Sequence, residues 1–278
     1  MSILDFCPEG FTLRDNQVKI LKQVETHWSR YHVIIIPAAV GSGKSLIAQV
    51  IARWRAAQGE STATITPRVA LQNQYLDSFP SIPSLMGRGR YSCKDGGKMS
   101  CEDHHEIFGS YCKGCVYKKA KSDAIDSPNS IFNFHSYILG KMYKENLILD
   151  EAHNVFPVMG EMFSTTIWKH KHKYPDNFNE LEDVAIWLEK VIKKTLSDII
   201  AMEKKFEGLR TATTHTVPKA MRNTHKVYSE HKRNLHKYKT VLGGLHRAPA
   251  NFFIEHDEDM YRGKLKACLR IRPTTLQD

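Results

Sequence analysis

"HVIIIPAAVGSGKSLIAQVIARW", residues 32–54, sets a β-branched apolar run, a glycine-bearing turn and an apolar helical pattern end to end. The run from Val33 to Ile36 has the unbroken apolar character of a strand buried on both faces of a parallel sheet. Ile47, Val50, Ile51 and Trp54 recur at helical spacing, which predicts a helix directly after the turn. Between them, AAVGSGKS (38–45) matches the phosphate-loop pattern, with Ala38 where its first glycine is usual. Strand, loop and helix in that order give the motif its chemistry. Around Gly41, Ser42 and Gly43 the backbone N–H groups can curl about a phosphate at the positive end of the helix. Lys44 would then reach the β- and γ-phosphates of ATP, and the Ser45 hydroxyl would ligate Mg²⁺.

Working outward, Val18, Leu21 and Val24 predict a helix over 14–30. STATITP (61–67), SIFNF (130–134) and NLILD (146–150) read as strands, and RVALQNQYLDSF (68–79) as a helix. Strands alternating with helices predict an α/β fold, a parallel sheet flanked by helices. LILDEAH (147–153) ends its strand with two adjacent carboxylates. Neighbouring residues at a strand end point in different directions, which suits a division of labour: Asp150 to hold Mg²⁺, Glu151 to orient or deprotonate an attacking water. Beyond residue 153 the period changes. Apolar residues from Leu181 to Leu209 step by three or four, predicting one long amphipathic helix. A second helix, over 217–242, is basic: from Lys219 to Lys239 it carries seven Lys or Arg residues against Glu230 alone. NFFIEHDEDMYRGKLKACLRIRP (251–273) reads as a hairpin returning to the core with its turn near Asp257–Asp259.

Composition narrows the function. A hydrophobic share of 41% is ample for a core, while a formal net charge of +10 favours polyanionic partners such as nucleic acid. No apolar stretch approaches the ~20 residues needed to span a bilayer, and the N-terminus lacks the pattern of a secretory leader. An intracellular protein is therefore expected, cytoplasmic and DNA-associated, with no membrane partner. In a reducing compartment, clustered cysteines are metal ligands more often than disulfides. Cys93, Cys101, Cys112 and Cys115, spaced C-x7-C-x10-C-x2-C, can hold either a tetrahedral zinc ion or a [4Fe–4S] cluster. His104 and His105 could replace a ligand in a zinc site but read first as surface residues beside the loop, and Cys7 and Cys268 as ordinary buried thiols.

The order of these motifs resembles that of the superfamily 2 helicases of the iron–sulfur group, the XPD/DinG type, over essentially the whole chain. The resemblance implies a RecA-like motor domain in an ATP-dependent DNA helicase. LRDNQ (13–17) is similar to the family's adenine-recognising segment, implying base contact by Gln17 and, more weakly, Arg14. TPRVALQNQ (66–74) resembles its motif Ia, implying that Thr66 and Arg68 touch the DNA backbone. The cysteines follow where that family inserts its cluster domain, which favours [4Fe–4S] over zinc. Basic residues around them, Arg88, Arg90, Lys113, Lys118 and Lys119, suit the phosphates of single-stranded DNA. SPNSIFNFHSYIL (127–139) resembles the approach to the D-E-A-H strand, and the long helices match the family's helical arch. His153 would couple the nucleotide site to motif III. The implied division is 1–84 and 121–155 for the motor domain, 85–120 for the cluster insertion, 156–247 for the arch, and 248–278 for return strands to the motor domain. Neither motif III nor a second motor domain is recognisable, so a separate polypeptide supplying that half is an expected partner. TATTHT (211–216) reads as a loop between arch helices. A non-translocating nucleotide- and DNA-binding module is the alternative function. A P-loop kinase is disfavoured by D-E-A-H, the cysteines and the basic helix.

Overall fold

The computed structural model describes residues 1–94, 99–175, 178, 180–210, 219–261 and 263–274. Along the chain run α1 (Asp15–His27), α2 (Lys44–Ala56), β1 (Thr62–Thr66), α3 (Val69–Ser78), β2 (Ser84–Leu85), α4 (Cys101–Phe108), α5 (Val116–Asp126) and β3 (Asn129–Asn133). These are followed by α6 (Phe134–Gly140), β4 (Asn146–Leu149), α7 (Val155–Phe163), β5 (Thr165–Trp168), α8 (Leu181–Arg210), α9 (Lys219–Arg247), β6 (Phe252–Tyr261) and β7 (Lys264–Pro273). They divide into two compact units. One comprises Met1–Tyr91 and Gly114–His153, the other Ser92–Lys113 and Asn154–Asp278.

The first unit is built on a parallel sheet of order β2-β3-β1-β4. Thr64 of β1 lies opposite Ile131 of β3 on one side and Ile148 of β4 on the other. β1 is buried at every position, as an apolar and β-branched strand flanked on both edges should be. Ile47, Val50, Ile51 and Trp54 of α2 close over the sheet with Ile3, Leu21, Val24 and Tyr75. Each such side chain contributes roughly 1.5–3 kcal/mol on burial. One expectation fails here. Residues 33–36 form no ladder, although Ile34 and Ile36 still pack on this core. Val33 and Ile35 are 77% and 84% exposed. A strand needs a hydrogen-bonding neighbour, and this run pairs with none of the four strands of the sheet; water can satisfy the backbone of an exposed run instead.

The second unit packs α8 and α9 on an antiparallel sheet of order β5-β7-β6. Ile167, Val184, Leu188, Val241, Leu245, Leu269 and Ile271 form its centre. Both long helices lie where their periodicity placed them; the expected loop at 211–216 lies outside the described residues. The hairpin is real but its turn is not at Asp257–Asp259. β6 runs on to Tyr261, and Gly263 (φ 78°) lies in the turn. The acidic residues are strand residues instead, with Arg270 bonding Asp257 at 2.9 Å and Asp259 at 2.6 Å. Nor do the strands after residue 248 rejoin the parallel sheet: β7 pairs with β5 and β6. Among the described residues no helix is long and apolar enough to cross a membrane.

Candidate nucleotide site

Two left-handed glycines shape the phosphate loop, Gly41 (φ 78°) and Gly43 (φ 79°), the latter capping α2. Gly43 suits its place on two counts: its backbone lies in the glycine region, and a Cβ there would push Gln17 Nε2 out of its bonds to the loop. Gln17 is buried, with both ends of its amide engaged. Its Oε1 accepts from the Arg14 N–H at 2.9 Å, and its Nε2 donates to the Ser42 carbonyl at 3.0 Å. Arg14 donates to the Gly41 carbonyl at 3.3 Å. The pair that the resemblance assigns to adenine thus holds the loop to the start of α1.

Lys44, the first residue of α2, donates to the Ala38 carbonyl at 3.4 Å and meets Glu151 Oε1 at 3.1 Å. That second contact joins the phosphate loop to the D-E-A-H segment, about a hundred residues away in sequence. Glu151 reaches Lys44 from a left-handed backbone (φ 52°), in the turn after β4. His153, largely exposed, places Nδ1 3.4 Å from Glu151 Oε2. Asp150 anchors the same turn by donating its N–H to the Ile65 carbonyl at 2.9 Å. Burial, then the neighbouring Glu151 charge, push its carboxyl above the usual range.

Sequence reasoning missed Tyr75. In α3 its spacing reads as core packing, and the residue is 2% exposed. Burial and the Asp150 carboxylate raise its phenol well above the ordinary value, and Ser45 is also close. Yet its hydroxyl makes no hydrogen bond of regular geometry, and neither does the buried Ser42 Oγ. Two orphaned oxygens beside Ser45, Asp150 and a phosphate-type loop fit a polar group such as a magnesium-bound phosphate. The residues present therefore suit Mg-ATP: Lys44 and the loop N–H groups for phosphate, Ser45 and Asp150 for the metal.

Cys93, Cys101, Cys112 and Cys115 are all buried, with exposures from 2% to 6%. An isolated bridge between Ser92 and Ser100 and the bond from the Cys93 N–H to the Met99 carbonyl (2.8 Å) pinch the first two together. Cys101 opens α4 and Cys115 caps α5, positions where the helix dipole favours a thiolate ligand. His104 corrects the surface expectation. It is 1% exposed, with Nδ1 3.1 Å from the Ser110 carbonyl. Cys268 is buried as expected, and Cys7 only partly so. Of the residues assigned to DNA, Arg68, Arg90, Lys113, Lys118 and Lys119 are exposed and Arg88 partly so. Thr66 is fully buried and donates to the Arg68 carbonyl at 3.2 Å, so a backbone phosphate has no access to it.

The family model described as "Type III restriction enzyme, res subunit" matches residues 10–174, from before α1 to beyond β5. The chain belongs to this family. Its ResIII match makes residues 10–174 a domain of the superfamily 2 helicase type, and the parallel sheet flanked by helices agrees with that. Among solved structures, one titled "XPD_Helicase" is similar with a TM-score of 0.47 and 14% identity, over 94% of this chain and 54% of that one. The chain thus spans about half the length of that structure. No curated protein matches.

Proposed function

We propose that this chain is the ATP-binding motor portion of a DNA helicase of the iron–sulfur XPD/DinG kind, with DNA-dependent ATP hydrolysis as its reaction. One observation carries the reading: the 3.1 Å contact of Lys44 with Glu151, which brings the phosphate loop and the D-E-A-H acid to one point. Entering phosphates would take over the Lys44 ammonium, leaving Glu151 to orient or deprotonate the attacking water. Ser45 and Asp150 would hold Mg²⁺, which supplies charge neutralisation between the phosphates. Lys44→Ala should then abolish nucleotide binding. Glu151→Gln should bind Mg-ATP like its parent while losing hydrolysis, because the amide keeps the shape without the basicity. The measurement is nucleotide affinity beside steady-state turnover, with and without single-stranded DNA. Parental turnover by Glu151→Gln would remove Glu151 from the mechanism. Turnover indifferent to DNA would remove the helicase reading.

The four cysteines would hold a [4Fe–4S] cluster, stapling a segment that has little core of its own. Anaerobically purified protein should be brown, with about four irons per chain. Stoichiometric zinc in a colourless protein would assign the site to zinc instead. Arg68, Arg88, Arg90, Lys118, Lys119 and the exposed bases of α9 would bind the phosphates of single-stranded DNA.

A further inference from the structure

Between Cys101 and Cys112 the chain forms α4, which packs on α8 and α9 through Ile107, Phe108, Ile199, Phe206 and Tyr228. At the border of this apolar contact, three groups that the nucleotide chemistry does not use converge. Asp103 and Glu106 lie three residues apart on one face of α4, and His225 projects from α9. One ligand atom from each lies within 4.8 Å of the other two. We propose that Asp103, Glu106 and His225 bind a divalent transition-metal ion, distinct from the metal of the cysteines, that pins α4 to α9.

The distances favour a shared cation over direct bonding. His225 Nε2 lies 3.5 Å from Glu106 Oε2 and 3.8 Å from Asp103 Oδ1. Charge-assisted N–H···O bonds are about 2.7–2.9 Å long, so neither carboxylate is hydrogen-bonded at that length. Donors held about 2.0–2.2 Å from one ion sit roughly 3.0–3.6 Å apart, close to the two separations measured from His225. Asp103 is already oriented from behind. Asp103 Oδ2 accepts from the Ser100 N–H (3.2 Å) and hydroxyl (2.8 Å) in the cap of α4, which leaves Oδ1 on the His225 side. Glu106 Oε2 accepts from the Ser229 hydroxyl at 2.5 Å, and Ser229 Oγ also lies 3.2 Å from His225 Nε2. The contact behind Asp103 is of the kind that fixes a metal ligand, whereas the Ser229 hydroxyl bridges the Glu106 and His225 ligand atoms and would turn aside, or join them, as the ion enters. Burial resists charge on Glu106, but His225, Ser229 and Lys232 outweigh it and hold its carboxyl below the usual range. One imidazole and two carboxylates suit Zn²⁺, Co²⁺ or Mn²⁺. They do not suit Ca²⁺, which wants six or more oxygens.

Cobalt distinguishes this site from the cysteines, because Co²⁺ bound by thiolates shows a near-ultraviolet charge-transfer band that nitrogen and oxygen ligands do not give. We expect the full chain, as purified, to bind one equivalent of Co²⁺ with visible bands but no added thiolate band. That equivalent should weaken at least about 100-fold in His225→Gln and Asp103→Asn. It should persist in Glu102→Gln, whose carboxylate lies outside the trio. Asp103→Asn keeps an oxygen for the helix cap and guards against a folding defect in the histidine variant. The same affinity in parent and Asp103→Asn, thiolate character in all bound cobalt, or no binding at all would overturn the proposal. In each of those cases the trio would be a histidine–carboxylate ion pair only.

Discussion

Glu151 adopts a left-handed backbone at φ 52° although it carries a side chain. Such a conformation costs on the order of 1–3 kcal/mol and persists where the surroundings impose it, most often at functional sites. Here the turn is what delivers the carboxylate to Lys44. Asp150 beside it is held by a second strain of another kind, burial near a like charge. Its raised pKa has a definite sign. Ionised Asp150 destabilises the nucleotide-free fold at neutral pH, and that cost fades as pH falls through its folded pKa. Asp150→Asn should therefore raise the melting temperature of the nucleotide-free protein at pH 7 and lose the advantage in acid. Mg²⁺-dependent nucleotide binding should disappear at every pH. Thermal scans from pH 4 to 8 check the first statement; an unchanged pH dependence would contradict it. Tyr75→Phe tests the orphaned hydroxyl in the same way. Removing a buried, unsatisfied group should stabilise the free protein by about 1 kcal/mol and lower affinity for Mg-nucleotide, read by calorimetry with and without the ligand.

At the scale of elements, what the sequence made legible was whatever depends on local pattern. β1, β3, β4, α3 and α8 lie within a residue or two of their expected positions, because burial on one face or two imposes its own period. The misreadings share a different cause. Residues 33–36 have strand composition, but a ladder is a property of two segments, and composition names no partner. Asp257–Asp259 looked like a turn because acids cluster in turns; their partner Arg270 lies on the next strand and was invisible locally. Tyr75 and the φ of Glu151 belong to the same class, since both acquire meaning from residues far along the chain. The hairpin offers a test at this scale. Gly263→Val would force a β-branched side chain into φ 78° and should cost about 1–3 kcal/mol. Arg270→Ala, removing two partly exposed ion pairs, should cost about 1 kcal/mol. Denaturant unfolding of both variants ranks them; the opposite order would return the turn to the acidic stretch.

For the whole molecule, a net charge of +10 is a statement about partners before it is one about fold. The charge has a local concentration on α9, where Lys226, Arg233 and Lys237 are all exposed and stand seven and then four residues apart, on one stripe of the helix. The opposite tendency, burial of Tyr228, Tyr238, Val241 and Leu245, accounts for the packing of the helix but asks for no lysine. A basic stripe serves equally as a solvated face, so the distinction must come from counting ions. If each of the three cations meets a phosphate of single-stranded DNA, binding displaces the counterions that phosphate held. The logarithm of the affinity should then fall with the logarithm of salt by ~0.7 per contact. Replacing all three by glutamine should shrink that slope by about 2, and should weaken binding by the same factor for sequences of different composition. Fluorescence anisotropy with unrelated oligonucleotides, between low and moderate salt, gives both numbers. An unaltered slope would make the α9 stripe a solvated face and leave Arg68, Arg88, Arg90, Lys118 and Lys119 as the cations that hold the strand.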